Sequence, residues 1–224
     1  MSVAGVPTLV AGPYFDDLAP GDVDEGAPAV TLTDGLAAVH AAITGSRLRL
    51  PLDVELSRRV IGAERPLAHP ALVWDVAIGQ STQFTQRVIA NLFYRRLVFR
   101  RLPLIGDTLR TTTEVVALKQ NRSRRQGRAT GLALLRIKTV DQAGRPVLEV
   151  TRCAMLPLRE DRDTGHADPV AEDPPGFHPD ELRAPVAGWR LEEMAPQEGP
   201  LIDELRAGMS WELVGGDAVT ADPE

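Results

Sequence analysis

The sequence predicts an α+β fold in which an antiparallel β-sheet wraps around one long central helix. Two observations carry this prediction. A mostly apolar helical pattern covers residues 71–89, and a run of strand-like segments follows it between residues 92 and 158. Short turns separate these segments, and strands joined by short turns run antiparallel.

The elements before the long helix are shorter. Residues 22–33 have strand character, and Asp34 is expected to cap the helix "GLAAVHAAIT", which Gly45 ends. Residues 53–60 predict one or two further helical turns.

The long helix has a clear start. Pro70 is suited to the first helical position, where its missing N–H costs nothing. Apolar residues then recur at spacings of three and four, which predicts a mostly buried helix. These residues are Leu72, Val73, Val76 and Ala77.

Four segments of alternating or β-branched residues follow, each bounded by turn residues, and this pattern favours strands. They cover residues 92–99, 107–118, 129–141 and 146–158.

Charge and proline divide the 224 residues into three parts. Residues 1–160 hold the periodic apolar segments and are expected to form the folded domain. Residues 161–188 are rich in proline and acids, which predicts a linker without regular structure. Residues 189–224 regain apolar character.

Composition excludes several classes of function. The net charge of −6 and the 4% aromatic content disfavour nucleic-acid binding, which needs concentrated basic surface and stacking rings. No apolar run reaches the length of a membrane span, and the N-terminus lacks the basic start of a signal peptide. The single cysteine, Cys153, is compatible with a cytoplasmic protein.

Three stretches resemble the hotdog fold and, within it, the MaoC-like hydratase/dehydratase family. They are "PYFDDLAPGDV" (13–23), "PLAHPALVWDVAIGQS" (66–81) and "IANLFYRRLVFRRLPLIGDTLRTTTEV" (89–115). The resemblance covers residues 13–159 and is strongest to members with two hotdogs in tandem. It implies that residues 1–160 are a hotdog domain and that residues 189–224 open a second one. It also implies a dimer, or a heteromer with another hotdog chain.

The resemblance further implies an acyl thioester as ligand, carried by CoA or by phosphopantetheine, and no other cofactor. The family's catalytic Asp and His lie in a pattern of the form D-x-N-P-x-H. In "GSRLRLPLD" (45–53) the Asp position falls on Ser46 and the His position on Pro51. Neither is a carboxylate or an imidazole, so the usual acid–base pair is replaced.

Other groups are therefore the candidates for catalysis. His69, at the start of the long helix, is the first, although a simple role as helix cap is the favoured alternative for it. Ser46 and Asp53 are the others, with Asp75 a further replacement group. In the family, a backbone N–H at the start of this helix donates to the thioester oxygen. Pro70 has no N–H, so the donors would be Ala71 and Leu72.

Polar and basic residues complete the expected substrate contacts. The candidates are Gln80, Asn91, Arg122, Arg124 and Arg125. The three arginines belong to a basic loop between strands, which either binds the phosphates of the carrier or is a solvated hairpin end. One cysteine and four scattered histidines form no metal-ligand pattern.

Two functions remain open. The chain is either an acyl-thioester hydratase/dehydratase with altered chemistry, or a non-catalytic hotdog subunit that binds the acyl chain or completes a hydratase with a partner chain.

Overall fold

The computed structural model describes residues 12–122, 127–170, 175–194 and 202–211. The strands are β1 (Val23–Asp24), β2 (Val30–Thr31), β3 (Ala90–Phe99), β4 (Thr108–Gln120), β5 (Thr130–Val140) and β6 (Pro146–Pro157). The helices are α1 (Asp34–Thr44), α2 (Arg49–Leu52), α3 (Val54–Ile61), α4 (Pro70–Gln80) and α5 (Pro179–Arg183).

The sheet is antiparallel, with strand order β1-β4-β5-β6-β3, and β2 also pairs with β4. Helix α4 packs on its inner face. Leu72, Val73 and Ala77 of α4 share one buried core cluster with Leu109 and Ile137 of the sheet. The predicted α+β hotdog arrangement, a sheet around a central helix, is confirmed.

Strand alternation determines which side chains meet this core. On β5, Leu135 and Ile137 are fully buried, whereas Arg136 between them bonds to Glu114 across the outer face. The four long strands lie within two residues of the predicted ranges, because β-branched residues and turn residues mark both ends.

The central helix is shorter than predicted. It ends at Gln80, so the expectation of helix through residue 89 was wrong. The Ser81 hydroxyl donates to the Ile78 carbonyl and the Thr82 hydroxyl to the Gly79 carbonyl, each at 2.8 Å. These local bonds satisfy the last carbonyls of the helix and allow the chain to turn away.

The N-terminal elements differ from the prediction in detail. The strand expected over 22–33 is two short pieces, β1 and β2. The cap of α1 is Thr33 rather than Asp34, since the Thr33 hydroxyl accepts from Leu36 N at 3.2 Å. Gly45 ends α1 in the left-handed conformation, with φ 56°, as expected.

The proline-rich segment is partly regular. Asp168 N donates to the Leu118 carbonyl, and Ala167 bridges Lys119 at the end of β4. The expectation of no regular structure was wrong for α5, where Pro179 occupies the first turn and His178 caps the helix. Residues 161–188 as a linker between domains stay a prediction.

Residues 1–193 and 194–224 form two compact units. In the second unit, the structure describes Met194 and residues 202–211, which include a 3₁₀ turn at Ile202–Glu204. Most of the expected opening strand of a second hotdog lies outside the described residues. Within the described ranges, no helix is long and apolar enough to span a membrane.

Cys153 lies in the middle of the sheet. It pairs with Leu134 of β5 and Phe93 of β3, and it is fully buried as a free thiol. Burial raises its pKa to about 11, so this thiol is not a reactive nucleophile at neutral pH.

Candidate functional site

Residues 45–53, where the family resemblance places the acid–base pair, include the start of α2 and the cap of α3. Pro51 lies inside α2, and Asp53 caps α3 by accepting from Leu56 N at 2.9 Å. The Asp53 carboxylate is therefore used in holding a helix end. Ser46 follows the left-handed Gly45, and its hydroxyl is buried with no hydrogen-bond partner in the described residues.

His69 caps α4. Its Nδ1 accepts a hydrogen bond from Ala71 N at 3.0 Å, which satisfies one of the N–H groups that are left unpaired in the first turn of the helix. An imidazole nitrogen that accepts must be unprotonated, so His69 carries its proton on Nε2. Burial, and then the neighbouring His40, lower the pKa of His69, while Asp75 raises it. The net lowering favours the neutral ring.

His40 of α1 packs against the start of α4. Its ring centroid lies 5.0 Å from that of His69, and its Nε2 lies 3.4 Å from Asp75 Oδ2. His40 is buried, whereas the Asp75 side chain is 60% exposed. Neither ring nitrogen of His40 has a hydrogen-bond partner among the described residues. We call His40, His69 and Asp75 the histidine cluster.

The histidine cluster combines three chemical roles at one helix N-terminus. The neutral His69 ring can donate from Nε2, His40 can exchange a proton, and Asp75 can stabilise the charged form of His40. A helix N-terminus also stabilises negative charge that develops beside it. The sequence indicated His69 and Asp75 but missed His40, because only the packing of α1 on α4 brings it there.

The predicted substrate contacts on α4 have structural partners. Ala71 N already donates to His69, and the Leu72 side chain is buried in the core. The Gln80 amide donates to the carbonyls of Pro28 and Leu109 and accepts from the Thr111 hydroxyl. These bonds occupy both the nitrogen and the oxygen of the Gln80 amide and hold it between α4 and the sheet.

The remaining predicted contacts are spread over the sheet. Asn91 of β3 accepts from Arg152 Nε at 2.8 Å. Arg122 is exposed at the end of β4, while Arg124 and Arg125 lie outside the described residues. Arg152 itself is buried on the inner face, and sequence reasoning missed it although Val150 and Ala154 flank it in an inward register.

A cavity of about 500 Å³ lies on the outer face of the sheet, with Arg95, Arg96, Arg136 and Phe177 in its lining. Its arginines are engaged within the protein: Arg136 pairs with Glu114, and Arg96 packs over Phe177. The histidine cluster lies elsewhere, at the start of α4. Among the described residues, no group of three or more His, Cys, Asp or Glu side chains is arranged to hold a metal ion.

Two curated proteins are similar in sequence. The chain is 30% identical to the β-methylmalyl-CoA dehydratase of Chloroflexus aurantiacus over 150 residues, which are 66% of this chain and 41% of that protein. It is 26% identical to the mesaconyl-CoA hydratase of Cereibacter sphaeroides over 163 residues, 72% of this chain and 46% of that protein. The chain thus spans less than half of either relative. No family model matches the sequence.

Solved structures agree with the fold. A conserved double-hotdog protein of Mycobacterium tuberculosis, essential for bacterial survival during infection, is 51% identical with a TM-score of 0.69, over 80% of this chain and 54% of that one. A MaoC domain protein of Chloroflexus aurantiacus is 26% identical with a TM-score of 0.61, over 92% of this chain and 53% of that one.

Proposed function

Because the chain belongs to the MaoC-like hotdog family of hydratases and dehydratases, we propose that it binds an acyl-CoA thioester and catalyses hydration or dehydration with the histidine cluster in place of the usual Asp/His pair. The observation that carries the proposal is the contact of His40 with both Asp75 and His69 at the N-terminus of α4.

In the hydration direction, His69 acts on the thioester. Its Nε2–H donates to the thioester carbonyl oxygen, where negative charge develops as the β-carbon is attacked. The lowered pKa keeps the His69 ring neutral. The Ala71 N–H···Nδ1 bond fixes the orientation of that ring.

His40 acts as the general base and then as the general acid. Its imidazole takes a proton from water, the hydroxide oxygen bonds to the β-carbon, and the electron pair of the double bond moves to the enolate. The imidazolium then returns a proton to the α-carbon, so one water is added in total. Asp75, 3.4 Å from His40 Nε2, stabilises the imidazolium in between. No cofactor beyond the CoA or phosphopantetheine carrier is required, and a cytoplasmic location is part of this proposal.

The test uses the full chain and follows the loss of enoyl-thioester absorbance with mesaconyl-CoA and crotonyl-CoA. His40→Asn and His69→Asn should each lower the rate by about 10²–10⁴-fold, because each removes a positioned proton-transfer or donor group. His178→Asn, at an exposed histidine outside the cluster, is the matched control and should leave the rate unchanged. Full activity in both cluster variants would refute the proposal.

A second candidate is a non-catalytic subunit that completes a hydratase with another hotdog chain. Strand β3 pairs only with β6 in the described sheet, and Leu92, Tyr94 and Leu97 on it are each more than 40% exposed. An unpaired edge with exposed apolar side chains is suited to pairing with another strand.

The subunit candidate predicts that the edge of β3 holds the assembly together. Light scattering after size-exclusion chromatography should show a dimer, or a stoichiometric complex with a second hotdog chain. Leu92→Lys with Leu97→Lys should dissociate it, whereas Val39→Lys, at an exposed apolar residue of α1, should not. A monomeric chain that retains full hydratase activity would exclude this candidate.

A further inference from the structure

Arg152 is a charged residue on the core side of the sheet. It lies on β6 directly between Leu135 of β5 and Tyr94 of β3, and only 3% of its surface is exposed. Its neighbours along the inner face of β6, Val150 and Ala154, are buried and apolar. An arginine is rarely found in such a position unless its charge is paired.

The guanidinium has few partners. Arg152 Nε donates to Asn91 Oδ1 at 2.8 Å, while Nη1 is buried with no hydrogen-bond partner in the described ranges. Asn91 carries no charge, and no ion pair joins Arg152 to an acidic side chain of the described residues.

Arg101 provides an internal comparison. Its Nε is also buried without a partner, but its Nη2 contacts Asp107 at 2.9 Å and Asp141 at 2.7 Å. Arg101 is therefore charge-compensated and Arg152 is not. Burial lowers the pKa of the Arg152 guanidinium, yet an arginine in a protein stays protonated at neutral pH. A buried charge of this kind is costly unless an anion accompanies it.

Two aromatic residues lie between Arg152 and the part of α4 that belongs to the histidine cluster. Tyr94, opposite Arg152 on the edge strand, is 42% exposed and packs edge-on against Trp74 of α4, with ring centroids 5.2 Å apart. Trp74 directly precedes Asp75, so the two side chains leave the same turn of α4 on adjacent faces. Tyr94 and Trp74 thus connect Arg152 to the turn of α4 that carries Asp75 of the histidine cluster.

We propose that Arg152 binds a carboxylate on the acyl group, so that the substrates are thioesters of dicarboxylic acids. This inference rests on the proposed function and names its substrate class. A guanidinium matches a carboxylate with two parallel hydrogen bonds, and Nη1 is free to supply one of them. Independently, the two curated relatives are named for β-methylmalyl-CoA and mesaconyl-CoA, and the acyl group of each compound carries a second carboxylate.

The experiment compares two matched ligands by calorimetric titration of the full chain. Mesaconyl-CoA carries a carboxylate where 2-methylcrotonyl-CoA carries a methyl group. The wild type should bind mesaconyl-CoA about 10- to 100-fold more tightly, because a charge-assisted pair forms in a buried place. Arg152→Met should abolish this preference and leave the affinity for 2-methylcrotonyl-CoA unchanged. Arg136→Met, on the outer face of the neighbouring strand, should keep the preference.

The outcomes separate this inference from the proposed function. If neither thioester binds to the wild type, the proposed function fails. If both bind equally, or if Arg152→Met keeps the preference, only the role of Arg152 is refuted. Ligand-free Arg152→Met should melt at the same or a higher temperature than the wild type, since an uncompensated charge is removed. Should the methionine variant not fold, Arg152→Gln gives the same comparison of ligands.

Discussion

His40 Nε2 lies 3.4 Å from Asp75 Oδ2, and the ring of His40 lies 5.0 Å from that of His69. The charges of His40 and Asp75 therefore act on the ring of His69. His69 should titrate below 6.5, because burial and His40 lower its pKa. Asp75→Asn should lower the pKa of His69 further, and His40→Asn should raise it. NMR titration of the imidazole Cε1–H signals measures both shifts, with His178→Asn as the control that moves neither.

The cap formed by His69 should make stability depend on pH. The pKa of His69 is lower in the folded than in the unfolded chain, so the unfolded state binds more protons just below pH 6.5. The contribution is present above that pH and is lost as the pH falls through the folded pKa. Urea unfolding at pH 7.5 and pH 5 should reveal the loss.

Substitution of the same cap separates protonation from capping. His69→Asn keeps a good capping side chain that does not titrate, so this part of the pH dependence should disappear. His69→Ala should destabilise the protein by about 0.5–2 kcal/mol already at pH 7.5. Equal behaviour of the two variants at both pH values would contradict the role of His69 as the cap.

Asp107, at the start of β4, should be a main determinant of acid stability. It is fully buried and accepts hydrogen bonds from Arg65, Arg101 and Leu104 N. Burial alone would raise its pKa, but the hydrogen bonds from Leu104 N, Gln142 and Arg65 lower it below 3.8. The resulting stabilisation is present above that pH and is lost as the pH falls through the lowered pKa.

Asp107→Asn should cost about 3–5 kcal/mol, because it removes a fully buried carboxylate charge that pairs with both Arg65 and Arg101. Glu114→Gln is the matched control, since it breaks a half-exposed pair with Arg136 that is worth about 0–1 kcal/mol. Chemical denaturation of the three proteins at pH 7 measures the difference. If both variants lost a similar free energy of unfolding, burial of the Asp107 carboxylate would not explain its contribution to stability.

Gly131 and Gly79 should respond to alanine in opposite directions. A Cβ on Gly131 of β5 would lie 2.4 Å from the ring of Phe15, so Gly131→Ala must displace a fully buried ring and destabilise the fold. A Cβ on Gly79 of α4 meets nothing within 4 Å, so Gly79→Ala should stabilise the helix by up to about 1 kcal/mol. Thermal melting of the two variants checks both signs.

The strands and the start of α4 could be predicted because their signals are local. Pro70 after His69 marks the helix start, and alternation marks the strands. The end of α4 was missed because it depends on side-chain bonds from Ser81 and Thr82. Asp53 was taken as a chemical group because a carboxylate in sequence does not reveal that it caps α3.

Only part of the candidate site could be predicted from the sequence, because its contacts join residues that are distant along the chain. His40 and Asp75 lie 35 positions apart, and only tertiary packing brings them into contact. Arg152 had a local signal, since it occupies the inward register of β6 between Val150 and Ala154. Charged residues on strands usually face solvent, and that expectation concealed it.

The thiol of Cys153 gives the chain a built-in chemical reporter. A fully buried sulfur with a pKa of about 11 cannot react with a disulfide reagent while the sheet is intact. Modification must then wait for conformers in which β6 separates from its neighbours, and in the limit of fast reclosing its rate is proportional to their population. As this is the one cysteine in the sequence, the kinetics of a single colour change measure how often the centre of the protein opens under native conditions, without a label or a denaturant.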